Sequence, residues 1–167
     1  MCDTGNFKYS STTPKTHRVA AKLLEQNIDF ADMTKKLFDT KSINYLRLQK
    51  SAIEKLETHK NGEIALLLLL DEDFEKEGIS EADADAIVTL PGSVEGVEVG
   101  VYIRQRGEGF KVSLRSKSLV DVSKVAMQFG GGGHERAAGF SLDMNPEDAK
   151  TTVVEALSKA LDGYTEK

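Results

Sequence analysis

The chain has 167 residues, of which 40% are hydrophobic and 29% charged, and its formal net charge is −5. That length suits one domain, or one domain plus a smaller appendage, with enough apolar residues for a sizeable core. The acidic balance excludes a general nucleic-acid coat, which needs a broad basic surface. The longest apolar run, residues 64–70, is too short to cross a bilayer, so no membrane association is expected. Cys2 is the one cysteine, which rules out an intrachain disulfide and a thiolate zinc site and makes a reducing cytoplasm the default compartment.

The first third of the chain reads as helical. Thr13-Pro14 has the form of an N-cap followed by proline at the first helical position, and Val19, Leu23 and Leu24 then form one apolar stripe. A second helix starts at Asp29, with Phe30, Met33, Leu37 and Phe38 inward. A third runs from about Ser42 to Thr58, and Asn61-Gly62 gives a turn.

From Glu63 the pattern changes. Residues 64–70 are a continuous apolar run of strand length, which fits burial on both faces. Ser80 caps a helix through Leu90, stopped by Pro91-Gly92. Residues 97–106 and 110–116 alternate apolar with polar and are joined by Gly107-Glu108-Gly109, a hairpin signature. Residues 120–129 form a helix, 140–142 a short strand, and 146–161 a closing amphipathic helix. The expected fold is therefore α/β: N-terminal helices followed by a mixed β-sheet with helices, in the order β-α-β-β-α-β-α.

The chemistry concentrates in residues 129–139, Phe-Gly-Gly-Gly-Gly-His-Glu-Arg-Ala-Ala-Gly. Glycine permits left-handed backbone and close approach of a ligand to N–H groups, and successive N–H groups in a turn form an anion-binding concavity. A helix C-cap explains one glycine but not four. His134 and Arg136 add donors beside the run; His134 could be a metal ligand, a phosphate donor or a capped surface residue, and with no second histidine or cysteine close in sequence a phosphate or ribose donor is the better reading. Seven basic and three acidic residues lie between Arg104 and Arg136, a local excess of four positive charges in an acidic chain. Such a focus suits a small anionic ligand.

Arg115, in Ser113-Leu-Arg-Ser116, ends a strand in which Leu114 faces the core, so Arg115 faces the other side. Its guanidinium matches phosphate oxygens bidentately. Arg104 has the same outward phase on the neighbouring strand, although a solvated polar face explains Arg104 taken alone equally well. The acids of residues 81–85 have a metal-binding look, but their place in a helix's first turn explains them.

Residues 129–139, with Ser113-Leu-Arg-Ser116 and Asp121-Val-Ser123 upstream, resemble the C-terminal substrate-binding domain of DHH-family phosphoesterases. The likeness is to the short-oligonucleotide (nanoRNA) nucleases that also dephosphorylate 3′-phosphoadenosine 5′-phosphate, with RecJ-like exonucleases more distant. The opening Asp3-Thr4-Gly5-Asn6-Phe7 is similar to the last metal-binding motif of the family's catalytic domain, which would make Asp3 a manganese ligand. On this resemblance residues 1–41 would be the tail of that domain, 42–61 a connecting helix and turn, and 62–167 the DHH-associated substrate-binding domain. Substrate contacts would come from Arg115, His134 and the backbone of Gly131, Gly132 and Gly133, with Ser116, Arg104 and Arg136 as further candidates.

The sequence departs from the family in having no Asp-His-His run. A two-metal phosphoesterase uses its ions to generate hydroxide and clamp phosphoryl oxygens, and one carboxylate cannot hold two ions. The resemblance thus implies a chain that binds short oligonucleotides or phosphorylated nucleotides. Cleavage to 5′-mononucleotides, with its Mn²⁺, would belong to the intact enzyme. An active phosphoesterase with a partner-supplied or unrecognised metal site, or an interaction domain, remain as alternatives, and a homodimer is compatible with the exposed early helices.

Overall fold

The computed structural model describes residues 4–8, 11–79 and 81–165. Asp3 lies outside them. The chain divides into two compact units, Met1–Ser42 and Ile43–Lys167.

In the first unit, α1 (Pro14–Leu24) begins as its sequence dictates. The Thr13 hydroxyl accepts from the Thr16 N–H, the Thr16 side chain accepts from the Thr13 N–H, and Pro14 occupies the first turn. Asp29 caps α2 (Phe30–Thr34), which runs on into a π-helical turn at Lys35–Asp39. The apolar stripe of α1 is not buried as its spacing suggests: Val19, Leu23 and Leu24 are 50, 52 and 47% exposed. They line an open cavity with Ile28, Met33 and Leu37 instead of a closed core. Two short helices have too little opposing surface to enclose one another.

The second unit holds a six-stranded mixed sheet with strand order β1-β2-β3-β4-β6-β5. Its elements in chain order are α3 (Ile43–Glu54), β1 (Glu57–His59), β2 (Ile64–Leu69), α4 (Asp71–Glu77), α5 (Glu81–Ala86), β3 (Val99–Arg106), β4 (Gly109–Ser116), α6 (Val122–Gln128), β5 (Gly132–His134), β6 (Ala137–Leu142) and α7 (Pro146–Thr165). β2 and β3 are parallel, and every other pairing is antiparallel.

The α/β class and the four central strands agree with the sequence pattern. Several boundaries differ. The third helix stops at Glu54, and 57–59 pair with β2 as an edge strand. Through Leu48 and Ala52, α3 is packed into the sheet unit. The expected 80–90 helix ends at Ala86 and gives way to tight 3-10 turns at Ile87–Thr89 and Pro91–Ser93. α4 is an addition, closed by Gly78 in the left-handed region.

β2 is buried along its whole length. Ile64, Leu66 and Leu68 join Val99, Val101, Ile103, Phe110, Val112 and Leu114 against α6 and α7. Leu67 and Leu69 join Tyr102 on the other face, beneath α3, α4 and α5. This second helical layer covers β2 and β3 and stops there. On β4 and β6, Lys111 and Ser141 of the same face are exposed.

The loop from β4 to α6 is pinned by Glu98, a buried carboxylate. It accepts from the N–H groups of Ser118 (3.0 Å), Leu119 (2.6 Å) and Val120 (3.2 Å). Asp121 then caps α6 through the Ser123 N–H and hydroxyl, and the Ser123 hydrogen bond holds the Asp121 carboxyl below its ordinary value. Truncating Glu98 leaves three amides without their shared acceptor. Glu98→Ala is expected to lower the unfolding free energy by about 3 kcal/mol, the upper range for hydrogen bonds to a charged group. Urea denaturation of the two proteins measures it, and an unchanged midpoint would contradict this role.

Candidate functional site

Directly paired residues of neighbouring strands share a face of the sheet. Gly100 pairs with Arg115, Arg115 with Ala137, and Ala137 with His134. Arg115 and His134 therefore stand in one cross-strand row, two strand spacings or about 10 Å apart, on the face that the helices leave open. The next row holds Tyr102, Ser113, Gly139 and Gly132, and the one after it Arg104, Lys111 and Ser141. The centre of this surface is small: Ala137, Gly139, Gly132 and Ser113 lie between the cationic side chains.

A cavity of about 270 Å³ opens on this face, lined by Tyr102, Arg104, Lys111, Ser113 and Arg115, with Asp85 and Val88 from the second helical layer. Arg104 is buried, its guanidinium carbon 4.6 Å from the centre of the Phe74 ring and its Nη1 3.5 Å from Asp85 Oδ1. The hairpin thus places Arg104 and Arg115 on one face, as the alternation requires. Tyr102 donates its hydroxyl to the Ala84 carbonyl at 3.3 Å. Burial pushes its phenol well above the ordinary tyrosine range against the opposing pull of Arg104, so it stays a neutral donor. Arg115 is half-buried and spends one N–H on the Leu114 carbonyl at 2.9 Å. Its remaining donors are available to a ligand.

Ser116 and Arg136 are not brought to this face. Ser116 follows Arg115 on the strand and so points the other way, donating its hydroxyl to the Val120 carbonyl at 2.7 Å. Arg136 donates to the same carbonyl at 3.0 Å and pairs with Glu135 at 2.7 Å. Both side chains tie the 117–120 loop to the turn between β5 and β6.

The glycine run divides into distinct jobs. Phe129 caps α6, Gly130 has φ +73°, its N–H reaches the Met127 carbonyl, and the Gly131 N–H reaches the Ala126 carbonyl. That is a Schellman ending. A Cβ on Gly131 would lie 2.3 Å from the Gly139 carbonyl oxygen, and one on Gly133, where φ is +147°, 2.5 Å from that of Ala137. Gly132 alone of the three in the Gly131–Gly133 backbone has open space where a Cβ would stand. The run is thus a helix stop and then a strand, β5, laid tightly on β6, with its outward surface at Gly132 and His134.

Sequence reading missed Lys111, Ser113 and Tyr102. The two-residue alternation that exposed Arg115 also carries Ser113 and Lys111, two and four positions earlier. Among the described residues, no three His, Cys, Asp or Glu side chains group as metal ligands.

A protein-family model described as the DHHA1 domain matches residues 61–164. The chain belongs to the DHHA1 domain family. It is 36% identical over 162 residues to the bifunctional oligoribonuclease and PAP phosphatase NrnA of Thermus thermophilus, covering 96% of this chain and 48% of that protein. A probable NrnA of Streptococcus mutans is 37% identical over 149 residues, covering 87% and 47%. The crystal structure of an exopolyphosphatase-related protein from Bacteroides fragilis superposes with a TM-score of 0.84 at 30% identity, covering 98% of this chain and 47% of that one. The chain thus spans about half the length of the curated relatives it matches. The DHHA1 match takes in the open sheet face with Arg104, Arg115 and His134.

Steric space sets the expectation for the glycines. Gly131→Ala forces a Cβ into backbone and is expected to cost about 2 kcal/mol or more, as overpacking does, whereas Gly132→Ala leaves the melting temperature within about 2 °C of wild type. Equal melting temperatures for the two variants would mean that β5 does not pack on β6 as described.

Proposed function

We propose that this chain is the substrate-holding C-terminal part of a manganese-dependent DHH phosphoesterase that hydrolyses short oligonucleotides to 5′-mononucleotides, and that by itself it binds such substrates without cutting them. One observation carries the reading. Arg115 and His134 stand in the same cross-strand row of an open sheet face, across a patch of small residues, and Arg104 lines the cavity at Arg115. A guanidinium with unused N–H groups takes a phosphate bidentately. An imidazole about two strands away reaches a second oxygen or a sugar hydroxyl of the same nucleotide. The glycines leave the floor between them clear, so the nucleotide can approach the backbone.

Two relatives at 36 and 37% identity carry names that include oligoribonuclease and PAP phosphatase, which supports a nucleotide as the ligand. Among the described residues no three His, Cys, Asp or Glu side chains group together, which supports giving this chain the grip on the substrate and the rest of the enzyme the bond breaking. No described helix is long and apolar enough to cross a membrane.

Arg115→Ala is expected to weaken binding of a 5′-phosphorylated dinucleotide by at least ~1.5 kcal/mol, roughly tenfold, the low end for a charge-assisted hydrogen bond. Isothermal titration calorimetry measures it, and equal affinity would remove the site. With Mn²⁺ present, the purified chain is expected to release no mononucleotide from the same ligand. Steady release would overturn the division between grip and chemistry.

A further inference from the structure

The open face does not end at Arg115. Lys111 lies four residues earlier on β4 with the same phase, about 13 Å along the strand, between Arg104 on β3 and Ser141 on β6. A second, larger cavity of about 570 Å³ opens there, with Arg106, Lys111, Gly139, Ser141 and Asp143 in its wall. Lys111 lines both cavities, so the two form one path along β4.

Lys111 is exposed and has no ion-pair partner among the described residues. Elsewhere in the same unit, Lys55 pairs with Asp73, Lys60 with Asp162, Lys124 with Asp121 and Lys150 with Glu57. An ammonium kept apart from the chain's many carboxylates attracts an external anion at full strength. Ser141 is its cross-strand neighbour and offers a hydroxyl donor. Gly139, one pair along, leaves the floor bare.

We propose that this second cavity holds a further backbone phosphate of a single-stranded oligonucleotide whose first phosphate sits at Arg115. The proposal rests on the nucleotide reading of Arg115 and His134 and adds a length dependence to it. Lys111 and Ser141 meet phosphate oxygens and not base edges, so the path senses strand length and is indifferent to sequence.

The test is the affinity of the full chain for 5′-phosphorylated di- and tetranucleotides by calorimetry, for wild type, Lys111→Ala, Lys111→Glu and Arg115→Ala. Wild type is expected to bind the tetranucleotide roughly tenfold more tightly, the low end for one charge-assisted contact. Its log–log salt slope is expected to be steeper by about 0.7, one single-strand phosphate. Both Lys111 variants are expected to lose most of that ratio and of the extra slope. A tetranucleotide-to-dinucleotide ratio of one in wild type, or an unchanged ratio in the Lys111 variants, overturns the path. If Arg115→Ala weakens both ligands while the Lys111 variants keep the wild-type ratio, the path fails and the nucleotide site stands. If Arg115→Ala binds both ligands as wild type does, the site reading itself fails and takes the path with it.

Discussion

β4 is committed to the core through Phe110, Val112 and Leu114, all buried against α6 and α7. Because successive strand residues point to opposite faces, that burial leaves Lys111, Ser113 and Arg115 on the other side. Slipping the register by one residue would send two cations into the core and three large apolar side chains into water. The hydrophobic core therefore fixes the register of the cationic face as firmly as it fixes the fold. The helices on that face reach only as far as β3, and the buried Arg104 is held by the Phe74 ring and Asp85 at the layer's rim.

The hairpin of β5 and β6 completes the face from the other side. It begins where α6 stops, and the stop and the strand share one stretch of glycine. Side chains at Gly131 or Gly133 would collide with the backbone of β6, so the glycines bring the two strands together. His134 is thereby delivered to the row of Arg115. The Val120 carbonyl accepts from both Ser116 and Arg136, and Glu98 holds the amides of the same loop. The loop before α6 is thus anchored by residues that flank the site in sequence but face away from it.

What was legible in the sequence follows from the length of each pattern. β2, β3, β4, α6 and α7 carry periodicities of several residues, and the phase of Arg104 against Arg115 could be read directly. β1 and β5 have three residues each, too few for any period, and β5 is mostly glycine. α4 opens with three acids, Asp71, Glu72 and Asp73, and buries mainly Phe74, so it has no apolar stripe to read. Glu98 gains its meaning from amides some twenty residues later. Ser116 and Arg136 are candidates through the family resemblance, whereas the strand alternation by itself turns Ser116 to the other face. The fate of the α1 stripe was also beyond reach, since periodicity says which residues share a face and not what covers it.

Both edges of the sheet are three-residue strands, β1 and β5. A sheet that ends so briefly presents few free backbone donors and acceptors, and glycine gives the β5 edge little side-chain surface to hold an added strand. Edge strands this short are poor templates for continued strand addition. A sheet with a wide uncovered face is thereby guarded against growing sideways into aggregates. An assembly of these chains made through the open face would set a second copy in competition with whatever that face binds.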